Sequence, residues 1–111
     1  MTFLYLNSDR IGQGDDELGR RLLSLFLQKL LASEVKVDFV ACLNGGALLT
    51  TEEGPALEAL RALEARGATV TTCGTCLDHL QRRERLLLGA VGGMQQTVEL
   101  FAAAERIIAP C

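Results

Sequence analysis

The chain has 111 residues, 49% of them hydrophobic and 23% charged, with only two prolines, so it is long enough for one hydrophobic core and too apolar to be disordered. Its formal net charge of −3 argues against binding to nucleic acid or to an anionic membrane surface, because both need a basic face. No apolar run reaches the roughly 18 residues of a membrane span, and we recognise no signal peptide after Met1. We therefore predict one cytoplasmic domain over residues 1–111.

Strands and helices alternate in the first half of the chain. Residues 2–6 form an apolar run typical of a strand that is buried on both faces. A loop of turn-forming residues, Asn7–Gly14, precedes a long helix that opens on acidic residues and ends near Ala32. Residues 36–42 read as the second strand, and a glycine-rich turn beginning at Asn44 follows it.

The second half continues the alternation. Pro55 and Gly67 bracket a second helix, since proline suits the first helical position and glycine the residue beyond the end. The β-branched run 69–72 is the third strand. The remaining predicted elements are a short helix from Leu77 to about Gln81, a strand at 86–88, a flexible turn at 89–93, a helix at 94–105 and a strand at 106–108.

This alternation predicts an α/β domain with a mainly parallel five-stranded sheet flanked by helices, as in flavodoxin-like folds. If the strand order is the flavodoxin-like 2-1-3-4-5, the switch point lies between the first and third strands. The loop Asn7–Gly14 and the segment after the third strand would then meet where such folds bind ligands.

The first long helix is apolar around about two thirds of its circumference, which exceeds the stripe of an ordinary surface helix. One face can pack on the sheet, and the remainder needs another partner. We predict a homo-oligomer with this helix in the contact; the alternative is that another helix or a loop of the same chain covers it.

The third strand ends in the segment Cys73–Cys76, a Cys-x-x-Cys motif at a strand-to-helix turn. Helix N-termini favour thiolates, so we expect an exposed and reactive thiol at Cys73. Gly74 lets another group approach closely, and Thr75 completes the turn. A zinc half-site and two inert buried thiols are the alternatives.

His79, the only histidine, follows Cys76 by three residues, so the two would share a helix face. Its imidazole would stabilise a thiolate or carry a proton, unless it is simply a solvent-facing residue. The basic cluster 82–85 would hold an oxyanion or an acidic partner, or else forms a solvated surface. Asn7 and Gly12, in the first loop, complete the candidate site.

Other kinds of site fit the sequence less well. The glycines at 12–14 lack both the third glycine of a dinucleotide fingerprint and the lysine of a phosphate loop. Neither Cys42 nor Cys111 has metal-ligand spacing to the motif, so we predict no metal and no cofactor. In the assumed strand order Cys42 lies too far from Cys73 for a disulfide, whereas the terminal Cys111 is free to reach a neighbouring site.

The sequence resembles the DsrE-like family, most closely the C-terminal domain of YedF-type sulfurtransferase-like proteins of selenium metabolism. The resemblance rests above all on residues 73–78, with support from 12–19, 44–49, 60–67, 91–94 and 107–108. It implies a flavodoxin-like fold, oligomerisation, and a persulfide carried on Cys73 with Cys76 as the second thiol. YedF-type proteins also have a TusA-like domain, which we do not expect here, and no residue distinguishes selenium from sulfur.

The predicted function is therefore transfer of sulfane sulfur between donor and acceptor proteins or thiols, through a cysteine persulfide. Two alternatives remain open. One is a non-catalytic oligomeric binding or redox-sensing module, and the other is a thiol-disulfide oxidoreductase.

Overall fold

The computed structural model describes all of residues 1–111. Its strands are β1 (Thr2–Leu6), β2 (Phe39–Cys42), β3 (Thr69–Cys73), β4 (Ala90–Gly92) and β5 (Arg106–Ile108). Its α-helices are α1 (Asp16–Ala32), α2 (Leu48–Thr51), α3 (Pro55–Ala65), α4 (Gly74–His79) and α5 (Met94–Ala103). Short 3₁₀ turns occupy Asn44–Ala47 and Arg83–Arg85. None of these helices combines the length and apolarity needed to cross a bilayer.

The five strands form one sheet in the order β4-β3-β2-β1-β5, and every neighbouring pair is parallel. The predicted α/β class, a parallel five-stranded sheet with flanking helices, is confirmed. The strand order predicted from the sequence, 2-1-3-4-5, is wrong because β3 pairs with β2 rather than with β1. The sheet order reverses between β1 and β5, not between β1 and β3.

The observed order follows from successive crossovers in one direction. Each strand from β1 to β4 is added beside its predecessor, and α1 and α3, which connect the first three strands, lie against one another. The chain then returns through α5 to place β5 on the free edge of β1. The buried strands have similar apolar sequences, so their composition does not specify which strand each one joins.

Alternate residues of the strands build two separate cores on the two faces of the sheet. The larger core includes Leu4, Val40 and Val70 and is closed by buried leucines of α1 and α3. The smaller core contains Phe3, Ala41, Leu43, Cys73 and Leu100. Helix α5 covers part of this second face through Leu100, and Cys76 of α4 packs against the same core.

The fourth strand lies a few residues after its predicted position. The leucines at 86–88 were expected to form the strand, but the pairing residues are Ala90–Gly92, which lie beside Thr71–Cys73 of β3. Gly89 has a φ of +73°, and an added Cβ would overlap the carbonyl oxygen of Val70. The leucines at 86–88 instead precede the strand, and Leu88, which is 8% exposed, packs in the larger core.

Helix α1 begins and ends close to its predicted positions. The side chain of Asp15 accepts a hydrogen bond from the Leu18 N–H at 2.7 Å, which caps the first turn. On the outer face of the helix, Leu18, Leu22 and Leu25 remain 39–52% exposed. The rest of the chain covers these three leucines only in part, so the surplus apolar surface inferred from the sequence is present in the single subunit.

Candidate functional site

The Cys-x-x-Cys motif lies at the carboxyl end of β3, where Cys73 is the N-cap of α4. Cys73 is only 6% exposed and packs with Phe3, Leu43 and Leu100 in the smaller core. The expectation that the Cys73 thiol is exposed is therefore wrong. Because side chains alternate between the two faces along β3, the Cys73 side chain points to the face that α5 covers. Helix α4, which begins directly after Cys73, covers it further.

Cys76, one turn into α4, is the more accessible thiol of the motif. Its Sγ accepts a hydrogen bond from the main-chain N–H of Asn44 at 3.1 Å. Burial raises the pKa of the Cys76 thiol, the Asn44 N–H opposes that rise, and a hydrogen bond with Cys73 adds to it. The pKa of the Cys76 thiol therefore lies above its ordinary value, and the Asn44 N–H is the contact that stabilises the thiolate.

The turn at Asn44–Gly46 fixes this N–H in place. Asn44 has a φ of +51°, a left-handed conformation that asparagine tolerates better than most residues. Gly46 lies against the end of β1, where an added Cβ would overlap the carbonyl oxygen of Leu6. The close packing of this turn on β1 therefore directs the Asn44 N–H towards Cys76.

An open pocket of about 560 Å³ adjoins the Cys76 side chain. Three residues proposed from the sequence line it together with Cys76: Asn7, Thr75 and His79. The sequence analysis did not place five other lining residues in the site: Tyr5, Leu43, Asn44, Leu80 and Met94. Asn44 was the one with a recognisable signal, since it opens a turn directly after a buried strand.

The other two proposed site residues have different environments. Gly74 is buried beneath the turn, where an added Cβ would lie 2.9 Å from the guanidinium of Arg83 and 3.0 Å from Val91. Gly12 lines a separate polar pocket of about 790 Å³ that contains Cys111. The structure thus brings Asn7, but not Gly12, to the Cys-x-x-Cys motif.

The basic cluster after α4 is engaged with carboxylates. Arg82 pairs with Glu52 at 3.1 Å, and Arg83 pairs with Asp78 at 2.7 Å. Arg83 holds the pKa of the Asp78 carboxyl below its usual value, so that carboxylate is ionised at neutral pH. Neither arginine lines the pocket beside Cys76.

The remaining cysteines lie outside this pocket. Cys42 is fully buried in the larger core, and burial raises the pKa of its thiol to about 12. It therefore belongs to the opposite face of the sheet from Cys73, although β2 and β3 are neighbours rather than separated as assumed. Cys111 is half-buried, with its Sγ 3.9 Å from the carbonyl oxygen of Ser8. All four cysteines are reduced.

A test of the Asn44 contact follows from the left-handed turn. Replacing Asn44 by valine places a β-branched residue at a positive φ, which costs about 1–2 kcal/mol and favours movement of the N–H away from Cys76. We expect the pKa of Cys76, measured by alkylation rate against pH, to rise further. Asn44→Gly, which keeps the N–H and suits the turn, should retain the original profile. An unchanged profile in folded Asn44→Val would show that this contact does not tune the thiol.

Taken together, these features define an α/β protein with a reduced cysteine pair at the carboxyl edge of a parallel sheet. Two solved structures share its architecture. The ychN protein from E. coli superposes with a TM-score of 0.65 at 16% identity, covering 97% of this chain and 97% of the other. MTH1491 from Methanobacterium thermoautotrophicum, described as a protein of unknown function, superposes with a TM-score of 0.69 at 16% identity, covering 98% and 97%.

These likenesses show that the chain has the same fold as ychN and MTH1491. At this level of identity they concern the fold alone. No protein-family model matches the sequence, and no curated protein matches it either.

Proposed function

We propose that this protein is a sulfurtransferase-like carrier that holds sulfane sulfur as a cysteine persulfide. The observation that supports this most directly is the reduced pair Cys73 and Cys76, of which Cys76 opens on a pocket and accepts the Asn44 N–H at 3.1 Å. A sulfur nucleophile must be reachable by its donor and its acceptor. Cys76 meets this requirement better than Cys73, which is 6% exposed.

Loading is an exchange between sulfur atoms. The Cys76 thiolate attacks the outer sulfur of a donor persulfide, R–S–SH; a new S–S bond forms on Cys76 while the donor S–S bond breaks. The departing R–S⁻ takes up a proton. One S–S bond has replaced another, so the step needs no oxidant or reductant. An acceptor thiolate then attacks the outer sulfur of the Cys76 persulfide, takes the sulfur atom and restores the Cys76 thiolate.

Cys73 has a second role in this scheme. When its thiolate attacks the inner sulfur of the Cys76 persulfide, a Cys73–Cys76 disulfide forms and hydrosulfide leaves. Cys76 packs against the smaller core to which Cys73 belongs, and this packing supports the contact. The resemblance to YedF-type proteins assigns the persulfide to Cys73 instead, and the two assignments make different predictions. Selenium would follow the same steps, with the Cys76 thiolate attacking the outer selenium atom of a donor R–S–SeH.

The test is the mass of the protein after incubation with a persulfide donor. In the Cys111→Ser protein, which lacks the other accessible thiol, we expect a gain of about 32 Da, one sulfur atom, that survives the additional change Cys73→Ser and disappears with Cys76→Ser. An adduct that requires Cys73 and not Cys76 would support the assignment drawn from the resemblance. No adduct on either cysteine would reject the carrier function.

Thiol-disulfide exchange, in an oxidoreductase or a redox-sensing module, is the second candidate. The packing of Cys76 against the core that contains Cys73 favours it, because neighbouring thiols can close to a disulfide. Reduction of insulin disulfides distinguishes it from sulfur transfer. The oxidoreductase would reduce insulin without a persulfide donor, and the carrier would not.

We also propose that the chain acts as a homo-oligomer, exchanging sulfur with donor and acceptor proteins or thiols in the cytoplasm. The exposed leucines of α1, Leu18, Leu22 and Leu25, support self-association because together they form an apolar stripe on the outer face of a helix whose inner face packs in the core. The reducing cytoplasm suits four free thiols. Sedimentation equilibrium measures the assembly directly, and a monomer at all concentrations would reject it.

A further inference from the structure

The surface beside Cys76 is apolar over much of its extent. Tyr5, Leu43, Leu80 and Met94 contribute to the lining of the pocket. Leu80 and Met94 are 37% and 57% exposed, so both present apolar surface to whatever enters. A ligand with an apolar group removes that surface from water, whereas a charged group would lose its own hydration there.

Positive charge is missing from the same surface. No lysine or arginine lines the pocket, and His79 is the one basic residue that does. The adjacent guanidinium groups are bound elsewhere, Arg82 to Glu52 and Arg83 to Asp78. With a net charge of −3, the chain as a whole also disfavours anions. A carboxylate on the donor would therefore meet no lysine or arginine next to Cys76, only His79 and the neutral polar groups of Asn7, Asn44 and Thr75.

We infer that the sulfur donor of this site is a small persulfide whose organic group is uncharged and apolar, lying against Leu80 and Met94 while its outer sulfur meets Cys76. This inference rests on the proposed function and narrows its substrate class. Discrimination comes from the hydration that an anionic donor would lose against Leu80 and Met94, with no lysine or arginine there to replace it. The sulfur exchange itself is the one written above.

Two donors that differ only in charge test the inference. The persulfide of N-acetylcysteine carries a carboxylate, and the persulfide of its methyl ester does not. We measure loading of Cys76 in the Cys111→Ser protein, so that the other accessible thiol does not contribute, and divide each rate by that for a free small thiol. The methyl ester is expected to load at least about tenfold faster on this scale. Equal normalised rates would overturn the inference.

A charge introduced on α5 supplies a matched comparison. Met94 lines the pocket, and Val98, one turn further along α5, is 58% exposed and does not. Met94→Lys should raise the rate with the carboxylate donor by several-fold and reduce the preference for the ester. Val98→Lys adds the same charge away from the pocket and should leave the preference unchanged. Equal effects of the two lysines would contradict a local origin for the selectivity.

Alkylation separates this inference from the proposed function. Iodoacetamide and iodoacetate form a neutral and an anionic pair that react with Cys76 without any sulfur transfer. If neither persulfide loads Cys76 but iodoacetamide retains its normalised advantage, the carrier function fails and the charge selectivity of the pocket stands. If both persulfides load Cys76 equally fast, the carrier function stands and the selectivity fails.

Discussion

Replacing Cys76 by serine is expected to slow sulfur transfer from a persulfide donor to an acceptor thiol by at least about 100-fold. A serine hydroxyl is hardly ionised at neutral pH and does not replace a thiolate as the nucleophile. The side chains are nearly the same size, and Cys76 lies at a partly exposed position, so the fold should be unaffected. Steady-state transfer measured over a range of pH gives the result. In the wild type the rate should still rise above the ordinary pKa of a cysteine thiol, because burial raises the pKa of Cys76.

The other cysteines provide the controls. Cys73→Ser should keep transfer within a few-fold of the wild type, since Cys73 acts after loading, while release of hydrosulfide in the absence of an acceptor should fall. Cys111→Ser should have no effect, because Cys111 lines a different pocket. If Cys76→Ser transferred sulfur at the wild-type rate and Cys73→Ser were inactive, the nucleophile would be Cys73.

Gly46→Ala is expected to be the most destabilising single change near the site. The added methyl group would overlap the carbonyl oxygen of Leu6, the last residue of β1, which accepts a hydrogen bond from the Leu43 N–H and cannot move without disturbing β1. Overpacking against main chain costs about 3 kcal/mol, measured as the loss in free energy of unfolding in urea. Because the same turn positions the Asn44 N–H, the pKa of Cys76 should also change in any fraction that folds.

Gly14→Ala is the matched control for this substitution. An added Cβ at Gly14 meets no atom within 4 Å, so its stability should remain within about 0.5 kcal/mol of the wild type. If Gly46→Ala lost as little stability as Gly14→Ala, the turn could move away from Leu6 to accommodate a methyl group. The role assigned to the Asn44–Gly46 turn would then be incorrect.

Local patterns in the sequence were sufficient for most elements of the fold. The β-branched run before Cys73, the proline at position 55 and the acidic start of α1 each act within a few residues, and each element lies close to its expected place. Strand β4 was misplaced because its three residues have weak strand preference and pair only through β3. The leucines before it looked more like a buried strand than Ala90–Gly92 does.

The site depended on contacts that local patterns do not encode. The sequence pattern correctly predicted that Cys73 and Cys76 lie at the end of a strand. It did not predict the burial of each thiol, because that depends on the face of the sheet to which the side chain points and on where α5 packs. The neighbour of Cys76, Asn44, comes from a turn 32 residues earlier that meets it only because β2 lies beside β3. With the strand order wrongly assumed, this contact could not be anticipated. Asn7 was placed correctly, since it follows the carboxyl end of β1.

The most direct measurement is the rate at which a short pulse of iodoacetamide labels each cysteine in the folded, reduced protein, read by peptide mass spectrometry. The account predicts that Cys76 is labelled much faster than Cys73, and that Cys42, fully buried in the larger core, is labelled slowest. Labelling of Cys73 ahead of Cys76 would contradict it, because the sulfur nucleophile would then lie on the side chain that the fold encloses.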